Sequence, residues 1–303
     1  MLISTGNFQK LLLPGIRKLF GDAYKDLPVM YPMYMEVVKS TRNFDEEVLH
    51  SGLGLAKIKP EGSAIQYDDT SQQYTKRYTN VTYANGFTIT REMIEDGMAP
   101  FSIERLTKSL ARGMVQTKDI VAANVINRAF NSSYVGGDGI ELCASNHPTL
   151  GSDLRNELST PSDLSEASLE QAIIDMKDFR DHRGLRMMVM PKKLLVPSAL
   201  RFEAVRILGS DLRVGVADND TNAIKSLGFL STGDIVVNQY LTDDDAWFVI
   251  TDVPDGLKFQ NRREMEIGTD NEFDTENAKY KATMRFDAGW TDPRGIFGSE
   301  GAA

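Results

Sequence analysis

Cys143 and His147 are the residues of this sequence whose types and spacing come closest to catalysis. A thiol beside an imidazole can act as a nucleophile and its general base. Catalytic pairs of this kind usually come together from distant parts of a chain, and no cysteine-hydrolase motif surrounds Cys143. We therefore predict no catalytic residue, and a cysteine-dependent hydrolase stays an alternative.

Metal and cofactor motifs are incomplete throughout the sequence. None of the histidines stands in a paired metal-ligand spacing such as HExxH. Asp218 and Asp220 imitate the start of a calcium-binding loop, but Ala223 and Phe229 occupy the positions of its glycine and its bidentate glutamate. The run Gly52-Leu53-Gly54 lacks the third glycine of a dinucleotide-binding motif. The sequence thus predicts no metal site and no cofactor.

Composition narrows the class of protein. The chain has 303 residues and a net charge of -9. This charge argues against a protein that binds duplex DNA, because neutralising the phosphates needs a dense basic surface. Cys143 is the single cysteine, so no intrachain disulfide can form and a reducing cytoplasm is compatible with folding. The apolar run before Pro14 is too short for a signal peptide or a bilayer span. We expect no membrane association and a mature chain that begins at or next to Met1.

The elements that would position any site begin with an apolar N-terminal segment. Phe8, Leu12, Ile16 and Phe20 recur at helical spacing, and Pro14 is expected to break or kink that helix. One interpretation is a short surface helix docked on its own domain. The other is an arm that docks on a neighbouring subunit.

Residues 36–89 show the period of two that is typical of strands, with Tyr74 and Tyr78 on one face. Leu53 and Leu55 alternate with glycines near the middle, which predicts a long β-hairpin with a glycine-bearing tip. A hairpin of that length is marginal on its own in water and needs a partner surface. That surface is either the core of the same chain or a second subunit.

A long amphipathic helix is predicted from Pro100 to Phe130. Gly113 inside it indicates either a close crossing with another element or a glycine that the helix tolerates without a packing role. Ser165 is a predicted N-cap, flanked by Leu164 and Leu169 as a hydrophobic staple. A further helix is predicted at 200–208. Strands are predicted at 187–190, 194–196, 235–237, 247–250, 257–259, 265–267 and 280–286. This mixture indicates an α+β fold.

A basic interval runs from Lys177 to Arg206 in an otherwise acidic chain, and Arg183 and Arg186 lie near its start. It is either a solvated helix face with local ion pairs or a charged contact between symmetry mates.

The order of these elements resembles the major capsid proteins of tailed phages with the Hong Kong 97 fold, and especially the Mu-like major head subunits. The stretches that carry the resemblance are Asn7-Phe8 to Phe20, Ile89 to Asp96, Asp138-Gly139 to Pro148, Leu194 to Leu200, Ala246 to Phe248, and Arg285 to Gly295.

The resemblance implies an N-terminal arm at 1–38, an E-loop hairpin at 39–88, a P domain with its spine helix at 89–135, an A domain at 136–245, and returning P-domain strands with a C-terminal tail at 246–303. It implies pentamers and hexamers that tile an icosahedral shell around packaged double-stranded DNA, which is bound without sequence specificity.

The implied particle has further partners. The sequence carries no long charged extension before the arm, so a separate scaffold protein is expected, together with a portal and a decoration protein in some members. The implied localisation is the virion capsid, assembled in the bacterial host cytoplasm. The expected assembly contacts are Phe8, Leu12, Ile16, Phe20, Leu53, Leu55, Tyr74, Tyr78, Arg183 and Arg186.

A third candidate is another phage structural component, such as a tail-tube subunit. Tube subunits are mostly β structure with a short helix. The long helix predicted from Pro100 speaks against this alternative.

Overall fold

The protein is described here by a computed structural model. It describes residues 20–21, 24, 27–95, 99–151, 153–212, 220–272 and 277–302. Strands β1 to β4 are Glu36–Lys39, Phe44–His50, Gln72–Thr79 and Val81–Ile89; β5 to β7 are Pro191–Val196, Ile235–Val237 and Trp247–Thr251; β8 to β10 are Leu257–Asn271, Ala278–Trp290 and Ile296–Ser299. Helices α1 to α5 are Arg91–Glu95, Ala99–Asn127, Glu166–Lys177, Arg201–Gly209 and Ala223–Ser226, and short 3-10 turns lie at Tyr31–Met33, Thr232–Asp234 and Pro293–Gly295.

The described strands form three sheets. The first has the order β1-β8-β9-β4, and the second has the order β10-β7-β5-β6. The third is the antiparallel hairpin β2-β3, which pairs with no described strand of the other two sheets. Long helix α2 packs against the first sheet, while α3 and α4 pack near the second. The predicted α+β mixture is therefore present.

The second sheet separates two hydrophobic cores, and strand β7 shows why. Phe248 and Ile250 point into the core that contains α2 and the first sheet. Trp247 and Val249, on alternate positions, point into the core that contains α3 and α4. Successive side chains of a strand face opposite sides, so a strand buried on both faces reads as a continuous apolar run. This explains the unbroken run that predicted a strand here.

Several predicted elements agree closely with the structure. Helix α2 covers Ala99–Asn127, as its apolar periodicity predicted from Pro100. Ser165 is the N-cap of α3, and its side chain accepts a hydrogen bond from the backbone N–H of Ser168 in a capping box. Such a cap satisfies one of the free N–H groups at the start of a helix. Leu164 and Leu169 are both buried in the same core.

The predicted long hairpin is wrong in its extent. Only β2 and β3 pair with each other, whereas β1 pairs in parallel with β8, and β4 pairs with β9. The period of two at 36–39 and 81–89 identifies strands correctly but carries no information about the partner strand. The hairpin thus begins at Phe44 and ends at Thr79.

Other predictions also differ from the structure. Residues 187–190 are not a strand; the strand begins after them, at Pro191. Proline is tolerated at the first position of a strand although it lacks an N–H. The strands predicted at 257–259 and 265–267 are one strand, β8, whose register against β9 shifts near Arg263. Strand β10 was not predicted. No neighbouring atom among the described residues would lie within 4 Å of a Cβ at Gly113, so of the two alternatives the structure favours a glycine that the helix tolerates over a close crossing.

Candidate functional site

Loop 51–71, which joins β2 to β3, is the most unusual surface of the described chain. Five of its large apolar side chains are exposed: Leu53 65%, Leu55 76%, Ile58 95%, Ile65 63% and Tyr67 93%. Single exposed apolar residues are normal, but a cluster of this kind is typical of an interaction surface. Leu53 and Leu55, predicted as assembly contacts, lie here.

The base of the hairpin is held to the first sheet by a polar cluster around the buried ammonium of Lys258, here called the base clasp. Lys258 Nζ on β8 donates to Glu47 Oε2 on β2 at 2.6 Å and to Asp255 Oδ1 at 2.6 Å. Thr291 Oγ1 donates to the same Glu47 oxygen at 2.6 Å, and Tyr78 Oη lies 2.8 Å from Thr291 Oγ1. The single hydroxyl hydrogen of Thr291 goes to Glu47, so the Tyr78 hydroxyl is the donor to Thr291.

The electrostatics of the base clasp favour a charged lysine. Burial alone would lower the pKa of Lys258, but the hydrogen bonds that its ammonium donates to Asp255 and Glu47, together with the charges of those two carboxylates, outweigh burial and raise that pKa. The side chain of Lys258 is only 6% exposed, and that of Glu47 is 23% exposed. A buried ammonium needs such partners because an uncompensated charge is costly away from water.

Two further contacts fix the same end of the hairpin. Asp287 Oδ2 accepts from the backbone N–H of Thr79 at 2.8 Å, and Arg285 Nε donates to the Asn80 carbonyl at 3.1 Å. Gly289 lies against the ring of Tyr78, where a Cβ would be 3.0 Å from the nearest ring atom. Glycine at this position therefore lets the Tyr78 ring pack directly on β9.

The far end of the hairpin is held by a second polar cluster, here called the loop clamp. Arg183 NH1 donates to Asp68 Oδ2 at 2.6 Å, and its other terminal nitrogen donates to the Asp69 carbonyl. The same Asp68 oxygen accepts from the backbone N–H of Gly54 at 2.6 Å. The hydrogen bonds from Arg183 and Gly54 lower the pKa of Asp68. Arg183 thereby connects both legs of the loop to the turn that precedes β5.

Buried ionisable groups lie beside the loop clamp. The ring of His182 contacts the ring of Tyr74 edge-on, with 5.7 Å between centroids. His182 is only 3% exposed, and burial together with the nearby charge of Arg294 lowers its pKa to about 4. Arg294 pairs with buried Asp292 at 3.0 Å. The imidazole is therefore neutral near pH 7, and neither ring nitrogen has a hydrogen-bond partner within the described part of the chain.

Cys143 and His147 do not form a nucleophile and base. Cys143 is fully buried, and burial raises the pKa of its thiol well above the ordinary value. His147 Nδ1 instead pairs with Asp138 Oδ2 at 2.6 Å, also in the interior. A reactive cysteine needs a lowered pKa and access to solvent. The geometry here matches a structural thiol.

The described ranges contain no cluster of three or more residues with metal-ligating side chains. Within those ranges, no helix combines the length and the apolar character that crossing a bilayer requires.

The remaining predicted contact residues lie in different environments. Phe8, Leu12 and Ile16 fall outside the described residues. Phe20 and Tyr78 are buried inside the subunit, at 4% and 1% exposure, and Tyr74 is partly buried. These three side chains offer a neighbour little or no surface, because they already pack within their own chain. Arg186 is exposed and pairs with Asp178 at 2.9 Å.

The polar clusters include residues that the sequence analysis did not identify. Glu47 and Lys258 are separated by 211 positions, and Arg183 and Asp68 by 115 positions. No local pattern marks such pairs in a single sequence. The only signal was the basic interval that contains Arg183, which predicted charged contacts without naming their partners.

Three solved structures that share this fold are compared below, and each is part of a capsid or procapsid. The asymmetric unit of the bacteriophage PhiM1 mature capsid superposes with a TM-score of 0.57 at 11% identity, covering 90% of this chain and 86% of that chain. The capsid of the native GTA particle gives 0.53 at 11% identity and covers 90% of each chain. The procapsid of bacteriophage JBD30 gives 0.52 at 14% identity, covering 98% and 76%. The α+β fold is thus that of Hong Kong 97-like phage capsid proteins.

Sequence comparison identifies the family. A family model described as phage capsid protein matches residues 73–298, well over half of the chain. The chain belongs to the phage capsid protein family, and it is accordingly a structural protein of the virion capsid with no enzymatic role. No curated protein matches its sequence.

Proposed function

We propose that this chain is the major head subunit of a tailed phage, which self-assembles as pentamers and hexamers into an icosahedral shell around double-stranded DNA. The observation that carries the proposal is loop 51–71, whose large apolar side chains face solvent although its hairpin is held by the base clasp at one end and by the loop clamp at the other. In a closed shell, each such loop finds its burial on a copy of the same chain. The acidic net charge of -9 fits packaged DNA that is enclosed without sequence-specific binding.

The proposal assigns a role to each part of the chain. Residues 1–38 form the N-terminal arm, and 39–88 form the E-loop, which contains hairpin β2-β3. Residues 89–135 provide the spine helix of the P domain, 136–245 form the A domain, and 246–303 return to the P domain. These assignments are supported by the three separate sheets and by the two cores on either side of the second sheet.

The finer parts of the proposal concern relatives and partners. The motifs around Asp138 and His147 and from Leu194 to Leu200 support a Mu-like subfamily. A separate scaffold protein and a portal would complete the particle in the bacterial host cytoplasm, and a decoration protein would bind outside where the phage encodes one.

Negative-stain electron microscopy of the purified protein at high concentration tests the proposal. We expect closed hollow polyhedra. Open tubes would favour a tail-tube subunit instead, and monodisperse monomers at every concentration would contradict self-assembly. Helix α2, which spans Ala99–Asn127, already argues against the tube alternative.

A further inference from the structure

The loop clamp joins parts of the chain that would otherwise be independent. Loop 51–71 has no helix or strand of its own. Asp68 Oδ2 accepts from the backbone N–H of Gly54 on the opposite leg of the loop, and Arg183 then binds both Asp68 and the Asp69 carbonyl. A Cβ on Gly54 would lie 2.8 Å from that Asp68 oxygen, so glycine allows the two legs to approach. The loop is therefore closed on itself and fixed to the body by one guanidinium.

Arg183 is itself presented by a rigid turn. Asp181 Oδ1 accepts from the backbone N–H groups of Arg183 at 2.9 Å and Leu185 at 2.8 Å. Arg180 NH1 donates to the carbonyl of Gly184 at 2.9 Å, and Gly184 has a φ of 85° that favours glycine. These bonds order the turn without help from loop 51–71, so the turn can serve as a fixed support for it.

The described contacts that hold the loop are polar, while its apolar side chains stay outside. Gly54, Asp68 and Asp69 face the turn, whereas Ile58 and Tyr67 are 95% and 93% exposed. A loop without an attachment would gain by folding such side chains onto its own body. The loop clamp holds the loop through a backbone carbonyl and a carboxylate, and it leaves the apolar side chains exposed.

We propose that Arg183 is a positioning residue for assembly: it holds loop 51–71 in the orientation in which its apolar side chains can dock on a second copy of the chain. This inference rests on the proposed function. Ordering a binding segment before association removes an entropic cost that would otherwise weaken each contact. Arg183 acts through the loop and is not required to touch the neighbouring subunit.

The test compares two clamp variants with a matched control. Arg183→Ala removes the guanidinium, and Asp68→Asn removes the charge from the exposed loop side without touching the core. Arg186→Ala is the control, because Arg186 lies in the same segment but pairs with exposed Asp178. Two quantities are measured: hydrogen exchange of the amides of 53–70 in unassembled subunits, and the subunit concentration at which light scattering shows half-maximal assembly.

We expect faster exchange in loop 51–71 and a rise in the assembly concentration of about two- to fivefold in both clamp variants, the range of a partly exposed ion pair. Arg183→Lys keeps the charge but replaces the planar guanidinium, whose two terminal nitrogens bind Asp68 and the Asp69 carbonyl, by a single nitrogen. Its assembly concentration should therefore lie between those of wild type and Arg183→Ala. Arg186→Ala should match wild type in both measurements.

Unchanged loop exchange, or assembly at the wild-type concentration in both clamp variants, would overturn the inference. If Arg183→Ala fails to fold, Asp68→Asn decides alone. A wild-type protein that forms no particles at all would contradict the proposed function, and the inference would fall with it. In that case the exchange comparison would still show whether Arg183 orders the loop, so the two failures are distinguishable.

Discussion

Lys258 and Glu47 are 211 positions apart in the chain, yet their Nζ and Oε2 atoms lie 2.6 Å apart in a largely buried contact. This pair joins the hairpin to the first sheet. The hairpin has no hydrophobic core of its own, since every residue of β2 and β3 except Tyr78 is exposed or only partly buried. Its orientation therefore depends on contacts with the rest of the chain: the base clasp, the ring contacts of Tyr78 with Gly289 and of Tyr74 with His182, and the loop clamp at its far end.

The first prediction concerns this pair. Lys258→Ala should lower the free energy of unfolding by about 2–3 kcal/mol, because Glu47 and Asp255 lose a buried cationic partner. Glu47→Gln should cost less, about 1 kcal/mol, since Lys258 keeps its bond to Asp255. Urea denaturation of unassembled subunits measures both values.

The control is Lys108→Ala, which removes an exposed partner of Glu104 on α2. It should change stability by less than about 0.5 kcal/mol. Equal effects for Lys258→Ala and Lys108→Ala would show that the base clasp contributes no more than a surface ion pair.

The second prediction concerns pH and His182. An ordinary histidine in the unfolded chain has a pKa near 6.5, whereas burial lowers that of His182 to about 4. Between these values the unfolded chain binds more protons, so stability should fall as the pH falls from about 6.5 to about 4. The charges facing the imidazole are Arg294, which opposes protonation, and Asp181 and Asp138, which favour it.

His182→Phe should remove this loss, because a phenyl ring keeps the edge contact with Tyr74 and does not titrate. The difference in unfolding free energy between wild type and variant should change by up to about 3 kcal/mol across that pH range. Chemical denaturation at several pH values measures it. A difference that stays constant with pH would mean that His182 is protonated as easily in the folded state as in the unfolded one.

The sequence predicted those features that depend on neighbouring residues. The periodicity of α2, the cap at Ser165 and the apolar run of β7 are all set locally, and each was confirmed. The prediction divided strand β8 into two because the residues around Arg263 in its middle are polar. The structure keeps one strand there, with an irregular register against β9. Strand β10 was missed because it is short and follows closely after another strand.

The candidate site was harder to predict than the fold. Leu53 and Leu55 could be placed near a loop tip because glycines alternate with them, and both lie in exposed loop 51–71; their role as assembly contacts stays a prediction. Arg183 was found as part of a basic interval, but Asp68 was not, because only the folded chain brings them together. The alternation of residues in β3 does not show whether Tyr78 is exposed or buried. Its burial results from the close approach of Gly289 on β9, which only the folded structure shows.

The third prediction concerns Cys143. A buried thiol with a raised pKa should react with Ellman's reagent on the order of 100-fold more slowly than a free thiol while the protein is folded. Reaction should become fast in denaturant. Cys143→Ala should assemble as wild type does, because the thiol has no chemical role. Rapid labelling of folded subunits, or loss of assembly in a stably folded Cys143→Ala, would contradict this.

The fourth prediction concerns the exposed side chains of loop 51–71. Leu55→Ser and Ile58→Ser should leave the stability of the unassembled subunit within about 0.5 kcal/mol of wild type, because both side chains are exposed there. If each is buried on a neighbouring copy, its loss removes about 1.5–3 kcal/mol of transfer free energy per contact, which is roughly 10- to 100-fold in association. The assembly concentration should rise by that factor. Ser63→Ala is the control: it alters a polar side chain of the same loop, removes the exposed hydrogen bond from Ser63 Oγ to the Pro60 carbonyl, and should assemble normally. Leucine and isoleucine variants that assemble as readily as Ser63→Ala would show that the loop finds no burial in the shell.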